Sequence, residues 1–127
     1  MIEGFEFHHL GLAVRTPRRA RHFLELIGYE LGAAITDPLQ NVELQMASHA
    51  RMPRVEIVWP TQTAGPLTTF LRQGDELVYH TCYAVPQLDE AVAGLSASGV
   101  MLREVSGPTP AVLFGGRRVA FYAGAAL

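Results

Sequence analysis

Two histidines, His9 and His80, head two copies of one short sequence, and imidazole is a common ligand for metal ions. His9 begins the run HLGLAV, and His80 begins the run HTCYAV, 71 residues further along the chain. An offset that is kept over a strand and the following helix predicts a duplicated strand–helix unit. If the two copies pack about a pseudo-twofold axis, both histidines face one shared cleft. The helix positions that match at this offset are Ala20 with Ala91, Leu24 with Leu95, and Gly28 with Gly99.

The alternation of side chains along the strands predicts that a carboxylate lies on the same face as the two histidines. Successive side chains of a strand point to opposite faces, which separates His9 from the bulky Leu10 and Leu12 beneath a helix. On the strand at residues 54–59 the same rule separates Glu56 from its apolar neighbours. Two imidazoles and a carboxylate on one face suit a divalent ion of zinc, nickel, cobalt, manganese or iron. The other side chains predicted on this face are Glu43, Gln45, Arg118 and Tyr122.

Periodicity and turn residues predict the elements that must position these side chains. Thr16 is predicted to cap the first helix, with Pro17 at its first position and Gly28 ending it. Two further helices are expected at residues 67–72 and 88–98. Strands are expected at residues 5–14, 29–35, 42–47, 54–59, 77–85, 101–105 and 117–123, with a loop at 107–110.

The composition is that of one compact globular domain. The 127 residues are 49% hydrophobic and 17% charged, and the net charge of −2 comes without a run of like charges. No apolar run reaches membrane length, and the one basic cluster lacks the interleaved aromatic residues of a nucleic-acid platform. Cys82 is the single cysteine. The single cysteine and the lack of a signal-peptide pattern indicate a cytoplasmic protein. We expect neither a nucleic-acid nor a membrane partner, for the two reasons just given.

Five short motifs follow one another in a set order. They are FHHLGLAV from residue 7, GYE from residue 28, VEIVWP from residue 55, YHTCYAV from residue 79 and GGRRVAF from residue 115. Together they resemble the vicinal oxygen chelate superfamily over residues 5–123, and its glyoxalase-like and methylmalonyl-CoA epimerase-like members in particular. The resemblance implies an α+β fold in a single domain over residues 1–127. Two βαβββ modules, at 5–60 and 77–127, would surround a metal cleft, joined by a linker with a short helix at 61–76.

The resemblance also implies the metal ligands. The family's ligands from the first, fourth and fifth strands fall on His9, Glu56 and His80, and His8 is disfavoured by its strand parity. The family's terminal Glu has no counterpart, because the repeat offset leads from Glu56 to Leu127. The second module is therefore expected to lack its last strand. The open edge that this leaves predicts a homodimer.

Three functional hypotheses stay open. The first is a metal-dependent isomerase or lyase that acts on a small carbonyl compound or an acyl thioester through a metal-stabilised enolate. Its base would be Asp37, near the position of a second family carboxylate, or Glu43. The second is a metal-free small-molecule binding protein of the drug-sequestering type, and the third is a non-catalytic partner protein. The expected substrate contacts are Gln45, Arg118, Tyr122 and Trp59, although Trp59 also suits a core position.

Overall fold

The computed structural model describes residues 1–124. No helix within these residues is long and apolar enough to cross a membrane. The elements are β1 (Glu6–Val14), α1 (Arg18–Leu26), β2 (Glu30–Leu31), β3 (Ile35–Asp37), β4 (Val42–Ser48), β5 (Arg54–Pro60), α2 (Pro66–Phe70), β6 (Glu76–Ala84), α3 (Leu88–Ala97), β7 (Leu102–Pro110), a short 3₁₀ helix (Val112–Phe114) and β8 (Arg118–Gly124).

The chain divides into two compact units, one of residues 7–83 and the other of residues 1–6 with 84–127. The first unit is built on a mixed sheet with the strand order β2-β4-β5-β1-β6, and β3 also pairs with β4. In this sheet β1 runs parallel to β5, while β4 runs antiparallel to β5. The second unit contains α3 and the antiparallel pair β7–β8. The predicted α+β class is confirmed.

The core of the first unit lies between α1 and one face of the mixed sheet. Ala20 and Leu24 are one helical turn apart and form the buried stripe of α1. They pack with residues from the strands that point to the same side, and burial of this apolar surface is the main force that holds α1 on the sheet. The buried cluster consists of Val14, Ala20, Leu24, Tyr29, Ala47, Val55 and Ile57, with Leu12, Leu31 and Trp59 packed against it.

The end of each repeated helix agrees with the sequence prediction, and the start of the first does not. Gly28 and Gly99 both have positive φ, 102° and 89°, as a glycine that ends a helix requires. Thr16 does not cap α1. The N-cap is Pro17, whose carbonyl accepts the bond from the Arg21 N–H at 2.9 Å, and no side chain caps the helix.

Two predicted strand boundaries are wrong. The strand expected at residues 29–35 is divided into β2 and β3, because the register with β4 shifts by one residue between them: Leu31 pairs with Ala47, whereas Ile35 pairs with Leu44. The loop expected at 107–110 is the end of β7, which pairs with β8 through two register shifts. Within the described residues both strands of this two-stranded sheet are edge strands, which tolerate proline, so β7 continues through Pro108 and ends at Pro110.

Candidate metal centre

Three adjacent strands of the mixed sheet bring His9, Glu56 and His80 together. In the parallel pairing of β1 with β5, Glu56 lies opposite Gly11, two residues along from His9 on the same face. The ring of His80, from β6, lies directly over Gly11, where a Cβ atom would come within 2.2 Å of it. Glycine at position 11 therefore makes room for the imidazole that completes the group. These three side chains form a candidate metal-binding group, as the sequence predicted.

The donor atoms of this group are spaced as ligands of one ion would be. The Nε2 atoms of His9 and His80 are 3.1 Å apart, and each lies 3.7 Å from Oε1 of Glu56. Nitrogen and oxygen ligands bound at about 2.0–2.2 Å to a tetrahedral or octahedral ion lie about 2.9–3.6 Å from each other. Only small side-chain shifts would let all three bind one cation.

Burial favours neutral imidazoles in this group. His9 is 2% exposed, and burial, then the charges of His80, His8 and Arg54, lowers its pKa to about 3. Burial likewise lowers the pKa of His80 to about 4. A metal ion binds the neutral form of histidine, so protons do not compete for either ring near neutral pH.

Glu56 has the opposite shift. Burial, and then the charge of Asp37, raises the pKa of Glu56 to about 7. The carboxylate is thus buried beside two neutral rings, and no cation within the group balances its charge. A bound divalent ion would supply that balance, because an opposite charge nearby favours the ionised carboxyl group. The chemistry of the donor set therefore fits a divalent metal.

Asp37 belongs to the same face of the sheet as Glu56. It pairs with Val42 across β3 and β4, and Val42 shares its side of β4 with Met46, which pairs with Glu56. Asp37 is 3% exposed. Its Oδ1 accepts a hydrogen bond from the Leu39 N–H at 2.9 Å, and its Oδ2 accepts one from the Gln40 amide at 3.3 Å. A second oriented carboxylate thus lies close enough to Glu56 to influence its pKa.

Glu43 and Gln45 were predicted on the metal face, and that placement is wrong. They pair with Trp59 and Ile57, which belong to the core side of the sheet. Gln45 Oε1 accepts a hydrogen bond from Arg21 of α1 at 2.6 Å. The prediction assumed that polar residues of β4 face the cleft, but both faces of this strand are covered, and its apolar side chains line the metal face.

The remaining predicted substrate contacts are Trp59, Arg118 and Tyr122. Trp59 packs against the core, with the guanidinium of Arg21 5.0 Å from its ring centre. Arg118 and Tyr122 are on β8 of the other unit, where Arg118 lies 3.8 Å from Asp89 in an exposed ion pair. Their roles toward a substrate stay predictions.

Two residues near the centre were not assigned to it from the sequence. Nδ1 of His8 lies 2.8 Å from Nδ1 of His9, although parity places their side chains on opposite faces. Cys82 completes a group with these two histidines, in which the ligand atoms lie within 4.8 Å of one another. The signal in the sequence is that Cys82 lies two residues from His80 on one strand and therefore shares its face.

Known proteins share this arrangement of elements. A sequence profile described as "Glyoxalase/Bleomycin resistance protein/Dioxygenase superfamily" matches residues 8–121. The hypothetical protein BH1468 from Bacillus halodurans is 20% identical, with a TM-score of 0.79 over 95% of this chain and 86% of that one. No curated protein sequence matches.

Methylmalonyl-CoA epimerases are also similar in structure. The enzyme from Mycobacterium tuberculosis is 17% identical, with a TM-score of 0.76 over 97% of this chain and 83% of that one. A methylmalonyl-CoA epimerase in complex with methylmalonyl-CoA and NH4+ is 19% identical, with a TM-score of 0.78 over 95% and 86%. At these identities the likeness establishes the fold.

Proposed function

Since this chain belongs to the glyoxalase/bleomycin resistance protein/dioxygenase superfamily, we propose that it is a divalent-metal-dependent isomerase or lyase. Its substrate would be a small carbonyl compound or an acyl thioester with an acidic α-hydrogen. The observation that carries the proposal is the spacing of the donor atoms of His9, Glu56 and His80, at 3.1 and 3.7 Å. The likeness to epimerases of an acyl-CoA supports the substrate class.

The three protein ligands would leave coordination positions open to a substrate. A divalent ion held there supplies Lewis-acid stabilisation of the negative charge that develops on a carbonyl oxygen when the α-proton is lost. Neutral His9 and His80 would hold the ion without adding charge, and ionised Glu56 would balance part of its charge. The buried setting excludes water, which strengthens each of these interactions.

Asp37 is the residue proposed to move the proton. Its carboxylate lies on the metal face, and the hydrogen bond from the Leu39 N–H orients its Oδ1 atom. Its Oδ2 atom is bonded only to the Gln40 side chain among the contacts described, and that longer contact of 3.3 Å can give way to a substrate. Oδ2 would accept the α-proton, and the isomerisation would be completed when a proton returns to the opposite face of the same carbon or, in an α-hydroxy carbonyl compound, to the neighbouring carbon.

The test is α-proton exchange in deuterium oxide by the metal-loaded full-length protein, offered a panel of acyl thioesters and α-hydroxy carbonyl compounds. Asp37→Asn is expected to keep the metal and lose exchange by about 10²–10⁴-fold, the usual contribution of a general base. Glu56→Gln is expected to lose both metal and exchange. Glu43→Gln, on the core side of the sheet, is the matched control and should keep both.

Two outcomes would overturn the proposal. Exchange of no compound by the metal-loaded protein would exclude isomerase or lyase chemistry of this kind. Ligand binding that persists unchanged after chelation would instead favour a metal-free binding protein. Exchange that survives in Asp37→Asn would leave the metal centre intact and reject Asp37 as the base.

A further inference from the structure

His9 has donor groups at both of its ring nitrogens. Its Nε2 atom lies 3.1 Å from Nε2 of His80 and 3.7 Å from Glu56, which is the centre described above. Its Nδ1 atom lies 2.8 Å from Nδ1 of His8. The lone pairs of the two ring nitrogens point away from each other, so one ion cannot use both. The group at Nδ1 is therefore a second, separate donor set.

The second donor set contains sulfur. Cys82, on β6, lies with His8 and His9 in a group whose ligand atoms are all within 4.8 Å of one another. His9 is buried, and His8 and Cys82 are half-buried, so the group is partly shielded from water. Two nitrogen ligands on a tetrahedral Zn²⁺ lie about 3.3–3.4 Å apart, so the two Nδ1 atoms, now 2.8 Å apart, need to separate by only about half an ångström.

We propose that His8, Cys82 and the Nδ1 atom of His9 form a second metal site, selective for a soft or borderline ion. A thiolate with two imidazoles favours Cu⁺, Zn²⁺ or Cd²⁺, and disfavours Mn²⁺ and Mg²⁺. The first centre has a carboxylate in place of the thiolate and accepts harder ions. With both sites filled, His9 would supply one nitrogen to each ion, and its remaining ring proton would be released to solvent.

Cobalt is the probe for this site, because a Co²⁺ ion bound to a thiolate has a sulfur-to-metal charge-transfer absorption that nitrogen and oxygen ligands lack. Chelator-stripped full-length protein titrated with Co²⁺ is expected to develop this band. Cys82→Ser is expected to lose the band and to keep the cobalt of the first centre. His8→Ala should weaken the band-forming site by about 10-fold or more. Thr81→Ala, an exposed neighbour on β6, is the matched control and should behave as the unsubstituted protein.

The two centres are distinguished by reciprocal variants. Glu56→Gln should weaken cobalt binding at the first centre and leave the charge-transfer band in place. If Glu56→Gln changes nothing while Cys82→Ser removes the band, the second site exists and the first does not. Absence of the band in the unsubstituted protein, or a band that His8→Ala leaves unaltered, would overturn the proposal of a second site.

Alkylation of the unsubstituted protein tests the same site without any variant. A metal-bound thiolate is shielded from electrophiles, since the free thiolate is the nucleophile. Iodoacetamide should therefore label Cys82 in the chelator-treated protein and lose that reaction after Cd²⁺ or Zn²⁺ is added. An alkylation rate that does not respond to either ion would contradict the proposal.

Discussion

The two copies of the strand–helix repeat agree in their chemistry and differ in their packing. His9 and His80 meet at one centre with side chains 2% and 12% exposed, and Gly28 and Gly99 end both helices with positive φ. Yet α1 buries two residues, whereas α3, which lies wholly within the described chain, buries none of its own. The repeat thus preserves the two histidines and the two helix-ending glycines, while only the first of its two helices has buried residues.

Position 11 and its counterpart in the repeat, position 82, show the same divergence at the centre itself. Gly11 makes room for the ring of His80, while Cys82 places a sulfur atom close to His9. One copy thus provides space for a ligand and the other provides a possible ligand. The pseudo-symmetric sequence thereby supports an asymmetric site.

The largest expected effect comes from removing either histidine. His9→Ala and His80→Ala should each lower the affinity for a divalent ion at the first centre by more than about 100-fold, since each supplies one of three ligands. Isothermal titration with Mn²⁺, which the thiolate-containing site disfavours, measures this. The copies should differ in one respect, because only His9→Ala is expected also to remove the thiolate-to-cobalt band. Equal loss of the band in both variants would contradict the asymmetry.

The next effect tests the difference in helix packing. Leu24→Ala should lower the free energy of unfolding by about 2–5 kcal/mol, because Leu24 is buried in the core. Leu95→Ala, the matched position in the repeat, should cost less than about 1 kcal/mol, because Leu95 is only half-buried. Urea denaturation of both variants measures the two changes in the free energy of unfolding. Equal losses would show that both helices contribute equally to the stability of the core.

Gly11→Ala should disturb the centre without removing a ligand. The added Cβ would lie 2.2 Å from the His80 ring, so the ring must move away from His9 and Glu56. We expect metal affinity to fall by about 10-fold or more. Gly32→Ala is the control, because its Cβ would meet its nearest neighbour, the Met46 carbonyl, at 3.4 Å. Unchanged affinity in Gly11→Ala would show that His80 is not held as described.

The sequence predicted the metal ligands correctly on strands whose residues could be assigned to the two faces of the sheet in only one way. On β1 and β5 one face is plainly apolar, so His9 and Glu56 were separated from Leu12 and Ile57 correctly. On β4 both faces are covered, and the polarity rule placed Glu43 and Gln45 on the wrong one. The proximity of His8 to His9 could not be inferred from parity, because alternation gives the direction of a side chain and not the reach of its ring.

The helices and most strands were predictable from the sequence, and the errors arose where helices and strands begin or end. Gly28 and Gly99 ended the helices as expected, since few other residues adopt positive φ without strain. Thr16 looked like a cap by residue type, but Pro17 occupies that position. The prolines of β7 indicated a loop, because the sequence does not reveal that β8 is the single strand paired with β7 among residues 1–124.

A further prediction concerns the pH dependence of the metal-free protein. The folded-state pKa values of His9 and His80, about 3 and about 4, lie below the unfolded value of 6.5. As the pH falls below 6.5 the unfolded chain gains protons that the folded chain does not bind, so each histidine lowers the stability of the folded protein. Glu56 has the opposite effect, because its pKa is raised to about 7 from 4.5. Above pH 4.5 the folded chain keeps a proton on Glu56 that the unfolded chain has lost, so this contribution lowers stability as the pH rises.

Between about pH 4.5 and 6.5, the two histidines make stability rise with pH, and Glu56 cancels about half of that rise. Stability of the metal-free protein should therefore rise with pH over this window, and Glu56→Gln should steepen the rise. Thermal denaturation at a series of pH values, with a chelator present, measures both slopes. A flat profile would mean that the histidines are not held neutral in the folded protein.

The central claim is that His9, Glu56 and His80 bind one divalent ion. It is tested most directly by elemental analysis of Cys82→Ser protein, which isolates this centre, after loading with manganese, cobalt, nickel or zinc and removal of excess metal. The account predicts about one ion per chain for at least one of these metals, and none once His9→Ala and His80→Ala are added. Failure to retain any of the four metals, or equal retention by the triple variant, would contradict it.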